Sequence, residues 1–542
     1  MNYAADRYLS WDELEAECRA LAARYPGTVR LSEVGRSRQG RPLLLLTIGC
    51  NDDAPAVWVD GGTHCAEWAG VMSALFTASR WAEAMAAGQL PADRVTAHVM
   101  PCMSPDGYDA MRRGAPYLRS TLRPPRDGRP RVGLDPCDVD GDGVVRWMRW
   151  RHPAGSWCFD DATSARMRPR TLQDAPGDAF FVCSEGSFLA WDGATWTTAR
   201  LQYGMDLNRN FPGSWAPFEM FGMDGGDYPL SEPESRAVVD AFRARPRIAA
   251  AVTNHTYTGA LLTQPYRQDT PLGEDDILLM ERLANEAVRG TGYRVLRTFP
   301  DFTYDPKKPI VGVWADTMST AFGLPGYTLE LWDPFAFAGV ANRDPGRFWT
   351  HPDPALCGTL TDAFAAVEGA VAPWRPFVHP QLGAVEIGGL DVPGAIHNPP
   401  EGLLRGECER GFAVADRLLR ALPQVRVEVE VSPMGAGLRR VRALVENLGF
   451  LSTSGLAHSR RIGLAPPLTV TLVGGGVEGE ATVELGWLDG WAGVGRDAHP
   501  LYPSLPVAGG PRRLVSWLVR GDEPLTLRWE AGRGGKGELP VK

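Results

Sequence analysis

The sequence predicts an α/β domain, built on a mixed and mostly parallel sheet covered by helices, followed by a smaller C-terminal β-sandwich. Three observations carry this. Apolar runs of strand length at 29–34, 42–48, 56–59 and 94–100 alternate with helical patterns at 10–25 and from about 68 to 87, as expected of a sheet covered on both faces. The same alternation resumes at 248–253, 275–288 and 326–332 after a long irregular stretch. Beyond residue 403 a helical pattern gives way to short strands divided by glycine turns, which suits two packed antiparallel sheets.

The elements can be justified in order. Ser10 is a plausible N-cap for the first helix, with Glu13 at capping-box spacing. Two strands joined by the polar turn 35–41 follow, and a third at 56–59 runs into Gly61 and Gly62. The strand at 94–100 ends in Ser104, Pro105, Asp106 and Gly107, a cluster that reads as a turn. Residues 112–200 are irregular and rich in Arg, Pro and Gly, a loop length that is usually functional or disordered. Ser231 to Glu234 caps a helix reaching about residue 245. The Pro- and Gly-rich stretch 373–400 reads as a boundary, dividing the chain into a catalytic unit at 1–375, with its insertion at about 112–200, and an accessory unit at 376–542.

Composition narrows the function classes. A chain of 542 residues with 44% hydrophobic and 22% charged residues is ordinary globular protein. The net charge of −9 is spread without long runs, so neither nucleic acid nor an anionic membrane is an expected partner. Nine cysteines without regular spacing do not form a disulfide framework. The first 25 residues lack the basic start and apolar centre of a signal peptide. A cytoplasmic location is therefore the expectation, with secretion as the weaker alternative.

Several residues are chemically pointed. His64 and Glu67, three apart where a strand gives way to a helix, can converge on one point because i and i+3 share a face of the first helical turn. Nitrogen and oxygen donors of this kind suit Zn²⁺. Asn208 and Arg209 offer an amide beside a planar fork that binds carboxylates. His255 lies at the end of an apolar strand, where α/β folds place ligands. Glu330 interrupts an otherwise apolar strand, a costly position for a carboxylate without a partner. Asp138, Asp140 and Asp142, with Gly143 in the sixth position, resemble the start of a calcium loop, although Arg149 stands where its bidentate glutamate belongs. Ca²⁺ is thus a second cofactor candidate.

Together these stretches strongly resemble the zinc carboxypeptidases of the M14 family. The matches are GGTHCAEW for G-G-x-H-x-x-E-W, DLNRNF for D-x-N-R-N-F, NHTY for the strand-end third ligand and GYTLEL for the strand of the catalytic glutamate, in the family's order across roughly residues 5–375. The resemblance implies that His64, Glu67 and His255 bind Zn²⁺ with a water in the open position. It implies that Glu330 is the general base and then the acid, and that Asn208 and Arg209 hold the terminal carboxylate of a peptide substrate. Of two arginines offered for the scissile carbonyl, Arg119 is favoured over Arg123. Tyr257 would line the cleft. The family's mobile tyrosine has no direct counterpart, since Lys308 stands at its position and Tyr304 is the nearest tyrosine. Either Ala315 or Asp316 would face the pocket for the terminal side chain, and Asp316 there would favour Lys or Arg. The expected activity is metallocarboxypeptidase. The alternatives are a zinc-dependent deacylase of small N-acyl amino acids and a non-catalytic peptide-binding protein on the same fold.

Overall fold

The computed structural model describes residues 3–541 apart from 126–127, 161–164, 306–307, 342–352 and 495–509. Eight strands form the central sheet: β1 (Val29–Arg36), β2 (Pro42–Ile48), β3 (Ala56–Gly61), β4 (Thr96–Met100), β5 (Ile248–Thr256), β6 (Ala260–Thr263), β7 (Arg294–Arg297) and β8 (Gly326–Leu331). Their order is β1-β2-β4-β3-β5-β8-β6-β7. The central strands β4, β3, β5 and β8 are parallel, and antiparallel pairs flank them at β1/β2, β2/β4 and β6/β8. Every residue of β3, β5 and β8 is buried. That is why these strands read as continuous apolar runs, since both faces are covered.

Helices α1 (Trp11–Arg24), α2 (Trp68–Ala86), α3 (Pro105–Arg112), α4 (Pro233–Arg243), α5 (Glu274–Val288), α6 (Trp314–Thr320) and α7 (Glu401–Arg420) supply the cover. One core joins Val57 and Val59 of β3 to α1, α2, α5 and α7. The opposite core joins Trp58 to Val238 and Phe242 of α4 and to Trp314 and Met318 of α6. Successive residues of β3 therefore feed opposite layers, as strand periodicity requires. The capping box of α1 is present, with Glu13 N donating to Ser10 Oγ at 3.4 Å and Ser10 N to Glu13 Oε2 at 2.8 Å. Among the described residues no helix is long and apolar enough to cross a membrane.

Three local expectations are corrected. Ser104 to Gly107 is more than a turn, because Pro105 opens α3, a first-turn position where proline loses no hydrogen bond. Helix α4 begins at Pro233, and its N-cap Glu232 makes no side-chain capping bond. The boundary expected at 375 falls inside the strand Val371–His379. That strand pairs with Gly383–Leu390, which pairs with Trp147–Arg151. With Phe180–Ser184, Trp157–Phe159 and Met167–Pro169 they form a six-stranded sheet. Val371–His379 is its edge strand, a place where prolines can avoid costing a ladder bond.

Helix α7, expected in the accessory unit, packs instead against α2 and α5, burying Leu404, Cys408, Val414 and Leu418 in the main core. At Gly411 the packing leaves no room for a side chain, since a Cβ would lie 2.2 Å from Ser73 Oγ. From Val425 onward two four-stranded sheets face each other over a separate apolar core of Val441, Val470, Trp517 and Leu527, the expected sandwich.

Candidate metal centre and substrate pocket

The chain leaves β3 for β4 on one side and later returns to β5 on the other. The carboxyl ends of β3 and β5 therefore flank a topological switch point, where open α/β sheets bind ligands. Gly62, with φ at +64° and only 2.8 Å between a Cβ and Val71 Cγ2, turns the chain there. His64 and Glu67 follow in a turn closed by Glu67 N donating to His64 O at 3.2 Å. They do not share a helical turn as expected, because α2 starts at Trp68 and Glu67 is its N-cap. The Glu67 side chain caps no amide of its helix. Asn398 does so instead: its Oδ1 accepts from Ala69 N at 2.9 Å and its Nδ2 donates to Ala66 O at 2.8 Å.

Three buried side chains converge. Glu67 Oε1 lies 2.7 Å from His64 Nδ1, Glu67 Oε2 lies 2.8 Å from His255 Nδ1, and the two Nδ1 atoms are 3.0 Å apart. Nitrogens around a four-coordinate zinc with bonds of about 2.0–2.1 Å lie roughly 3.3 Å apart, so the cradle would widen by a few tenths of an ångström to hold such an ion. A set of two imidazoles and one carboxylate also suits zinc chemically. Burial pushes Glu67 up, but the charges of His64 and His255 hold it below the ordinary carboxylate range.

Asp206 braces this cluster. Its Oδ1 is 3.2 Å from His64 Nε2, and its Oδ2 accepts from Arg119 Nε at 3.3 Å. Burial pushes Asp206 up, but Arg119, Arg209 and His64 keep it well below the usual carboxylate range. An anion at Nε2 fixes the imidazole so that Nδ1 is left to face the other ligands. Arg119 also reaches Glu67 Oε1 at 3.4 Å. Glu330 is paired in register with His255 across β5 and β8. Burial and the neighbouring Glu67 carboxylate push Glu330 up to about 7, against the pull of His255 and Arg119.

One pocket collects His64, Glu67, Arg119, Asn208, Arg209, Tyr257, Tyr304 and Glu330. Asn208 Oδ1 accepts from Trp314 N at 2.9 Å. Arg209 is 3% exposed, donates through Nη1 to Asn208 O at 2.7 Å and stacks over Phe218 at 4.9 Å. Its Nε is shut away without a partner, and among the described residues no carboxylate comes within the 4.0 Å of an ion pair. Leu262, Tyr266, Phe302, Ile310 and Val313 form the apolar wall.

Other predicted residues are placed elsewhere. Asp316 does not line the pocket. It is buried behind the wall, where Gln264 Nε2 donates to its Oδ1 at 2.8 Å, and Ala315 packs within the wall's core. The register of α6 leaves Val313, just before its first turn, on the pocket side. Arg123 pairs with Asp224 and, at 3.8 Å, with Glu232, away from the pocket. In the acidic loop, Asp138 accepts from Gly141 N and Gly143 N, Asp140 from Asp142 N, and Asp142 from Val144 N and Arg146 Nε. Asp138 and Asp140 approach Glu185, but Glu185 accepts from the amides of Val139 and Arg146. These bonds hold the loop by themselves, and the calcium expectation is not supported.

Sequence reasoning missed three site residues. Asp206 opens the DLNRNF stretch, so a signal was present. Tyr117 precedes the favoured Arg119 by two positions. His397, which stacks on Tyr257 and meets Tyr117 edge-on, comes from a short turn at 392–397 with no pattern to announce it.

The family model for zinc carboxypeptidases (Peptidase_M14) matches residues 14–338, and a domain of unknown function (DUF8731) matches residues 425–542. Carboxypeptidase A2 of Rattus norvegicus is 32% identical over 140 residues, 25% of this chain and 33% of that protein. Carboxypeptidase O of Bos taurus is 34% identical over 198 residues, 32% of this chain and 48% of that protein. The chain thus spans between a third and a half of these relatives' length. Among solved structures, bovine thrombin-activatable fibrinolysis inhibitor in complex with tick carboxypeptidase inhibitor is similar over 77% of this chain and 98% of its own, at 18% identity and a TM-score of 0.44. Carboxypeptidase A from Helicoverpa armigera is similar over 67% and 75%, at 18% identity and a TM-score of 0.42. With the family match covering more than half of its length, the chain belongs to the zinc carboxypeptidase family, peptidase M14.

Proposed function

We propose that this protein is a zinc-dependent carboxypeptidase that releases the C-terminal residue of a peptide. The observation that carries the reading is Arg209, a buried guanidinium without a carboxylate partner among the described residues, in the same pocket as the His64–Glu67–His255 cluster and Glu330. A buried charge of this kind is costly unless an anion meets it, and the chain end of a peptide supplies one. Zinc held by His64, Glu67 and His255 would supply Lewis acidity and lower the pKa of a water toward ~7.

The rest is done by the protein's own groups. Arg209 and Asn208 grip the terminal carboxylate, which brings the last peptide bond toward Glu330. Glu330 takes a proton from the attacking water and returns it to the nitrogen of the leaving residue. A carboxylate at about 7 suits both transfers near neutral pH. Arg119 donates to the scissile carbonyl oxygen, which gains charge as the water adds to its carbon, a preorganised term. Asp206 orients Arg119 and His64 together. Tyr304 and Tyr257 close the pocket, and the apolar wall favours a large apolar terminal side chain over Lys or Arg.

The test is a series of blocked peptides differing only in the last residue, offered to chelated and to zinc-restored protein. Release of a large apolar terminal residue by the restored protein alone is expected. Cleavage at internal bonds, or turnover of N-acyl amino acids but not peptides, would reject the reading.

A further inference from the structure

A second cavity of about 520 Å³ adjoins the catalytic pocket, and Tyr117 and His397 line both. Glu67 and Trp68 are adjacent in sequence, yet the carboxylate faces the ligand cluster while the indole faces the second cavity. The opposite wall is made by residues 143–147 of the insertion, and the floor by residues 390–393, beyond the family-matched residues. Neither Asn208 and Arg209 nor the apolar wall of the terminal pocket contributes to it. The two cavities share Tyr117 and His397 in their linings, and the second stands apart from the Asn208–Arg209 clamp.

We propose that this cavity receives the substrate residues that precede the scissile bond and selects apolar or aromatic side chains among them. The inference rests on the carboxypeptidase reading and adds a substrate class to it. The lining decides the chemistry. Trp68, Trp147, Val144 and Val145 offer apolar surface. Of the lining's two arginines, Arg146 Nε donates to Asp142 at 2.9 Å, and Arg112 is turned onto Trp68, stacking over it at 4.7 Å and donating to Tyr8 O at 3.2 Å. Asp391 is engaged as well, accepting from Gly394 N at 3.1 Å. Most of the lining is apolar.

The experiment compares an acetylated dipeptide with acetylated tetrapeptides that share its last two residues and carry phenylalanine or aspartate just upstream of them. Binding to the zinc-loaded Glu330→Gln variant is measured by calorimetry, and kcat/KM is measured on the wild type. The phenylalanine tetrapeptide should bind about tenfold tighter than either the dipeptide or the aspartate tetrapeptide, the gain expected from burying most of one aromatic side chain. Adding Val144→Glu, in a half-buried loop position, should abolish that gain while leaving the dipeptide unchanged, and Trp147→Ala serves as an independent second variant under the same dipeptide control. Equal binding of all three peptides by protein with intact Val144 and Trp147, or a phenylalanine preference that survives both substitutions, overturns the assignment. Peptide binding that follows this pattern without any hydrolysis by the wild type would reject the carboxypeptidase reading and leave the cavity assignment standing.

Discussion

Replacing Arg209 by methionine separates a carboxypeptidase from a general metal-dependent amide hydrolase. The guanidinium carries five N–H donors in a fixed fork. One is spent on Asn208 O, and Nε has no protein partner. A substrate carboxylate can then take two charge-assisted bonds, each contributing about 1.5–3 kcal/mol. Their sum, about 3–6 kcal/mol, corresponds to a fall in kcat/KM of about 10²–10⁴ on a peptide with a free C-terminus. A matching C-terminal amide lacks the ionic partner from the start, so the same substitution should change its hydrolysis by less than about tenfold. The assay is the acid-to-amide ratio of kcat/KM, followed by chromatography of the released residue. Arg209→Lys keeps the charge and loses the fork, and should fall between the two. Stability should fall by about 1–3 kcal/mol, because the variant forfeits the bond to Asn208 O, the stacking on Phe218 and one of the charges that hold Asp206 low. A wild type that hydrolyses acid and amide equally, or a methionine variant that keeps the acid preference, would refute the reasoning.

Further outcomes are expected. Glu330→Gln should keep its zinc, measured by atomic absorption, while turnover falls by about 10²–10⁴; undiminished turnover would remove Glu330 as the base. Asp206→Asn takes the anion from His64 Nε2 and Arg119 and should weaken zinc binding by about 10–100-fold in competition with a chromophoric chelator. Unchanged affinity there would mean that Asp206 does not support the ligand. His98 is buried beside Thr47, and burial, with Arg245 and Arg30 nearby, pushes its pKa from 6.5 down to about 3. The unfolded chain takes up that proton first, so the contribution is whole above pH 6.5 and is lost as pH falls toward 3, by up to a few kcal/mol. His98→Leu should flatten the fall in the urea midpoint of chelated protein between pH 6.5 and 5, and parallel curves for the two proteins would contradict this.

Much of the site was legible because it sits on strands. The parallel core strands announce themselves as unbroken apolar runs, and Glu330 is conspicuous inside one of them. His255 marks the end of another, and the turn glycines before His64 are equally visible. What escaped depends on contacts rather than on local pattern. Asp206 acts on His64 from 142 residues away, and His397 enters from a short turn at 392–397. Asp316 could not be oriented without knowing that α6 begins at Trp314. The strands of the insertion are only three to five residues long, too short for periodicity to declare, and the prolines of an edge strand imitated a linker.

The first turn of α2 depends on Asn398, a residue some 330 positions further along the chain, and its outer face on α7. A gene fragment cut where the family match ends, at residue 338, would leave Ala69 N without its acceptor two residues from Glu67. It would also strip the cover from an apolar helix. The main core still takes in Phe450, Leu451, Leu456 and Ala492, so the smallest portion worth expressing as a catalytic piece extends past residue 492. Shorter fragments should be recovered as aggregates or with little metal, and their inactivity would say nothing about the chemistry of the intact site.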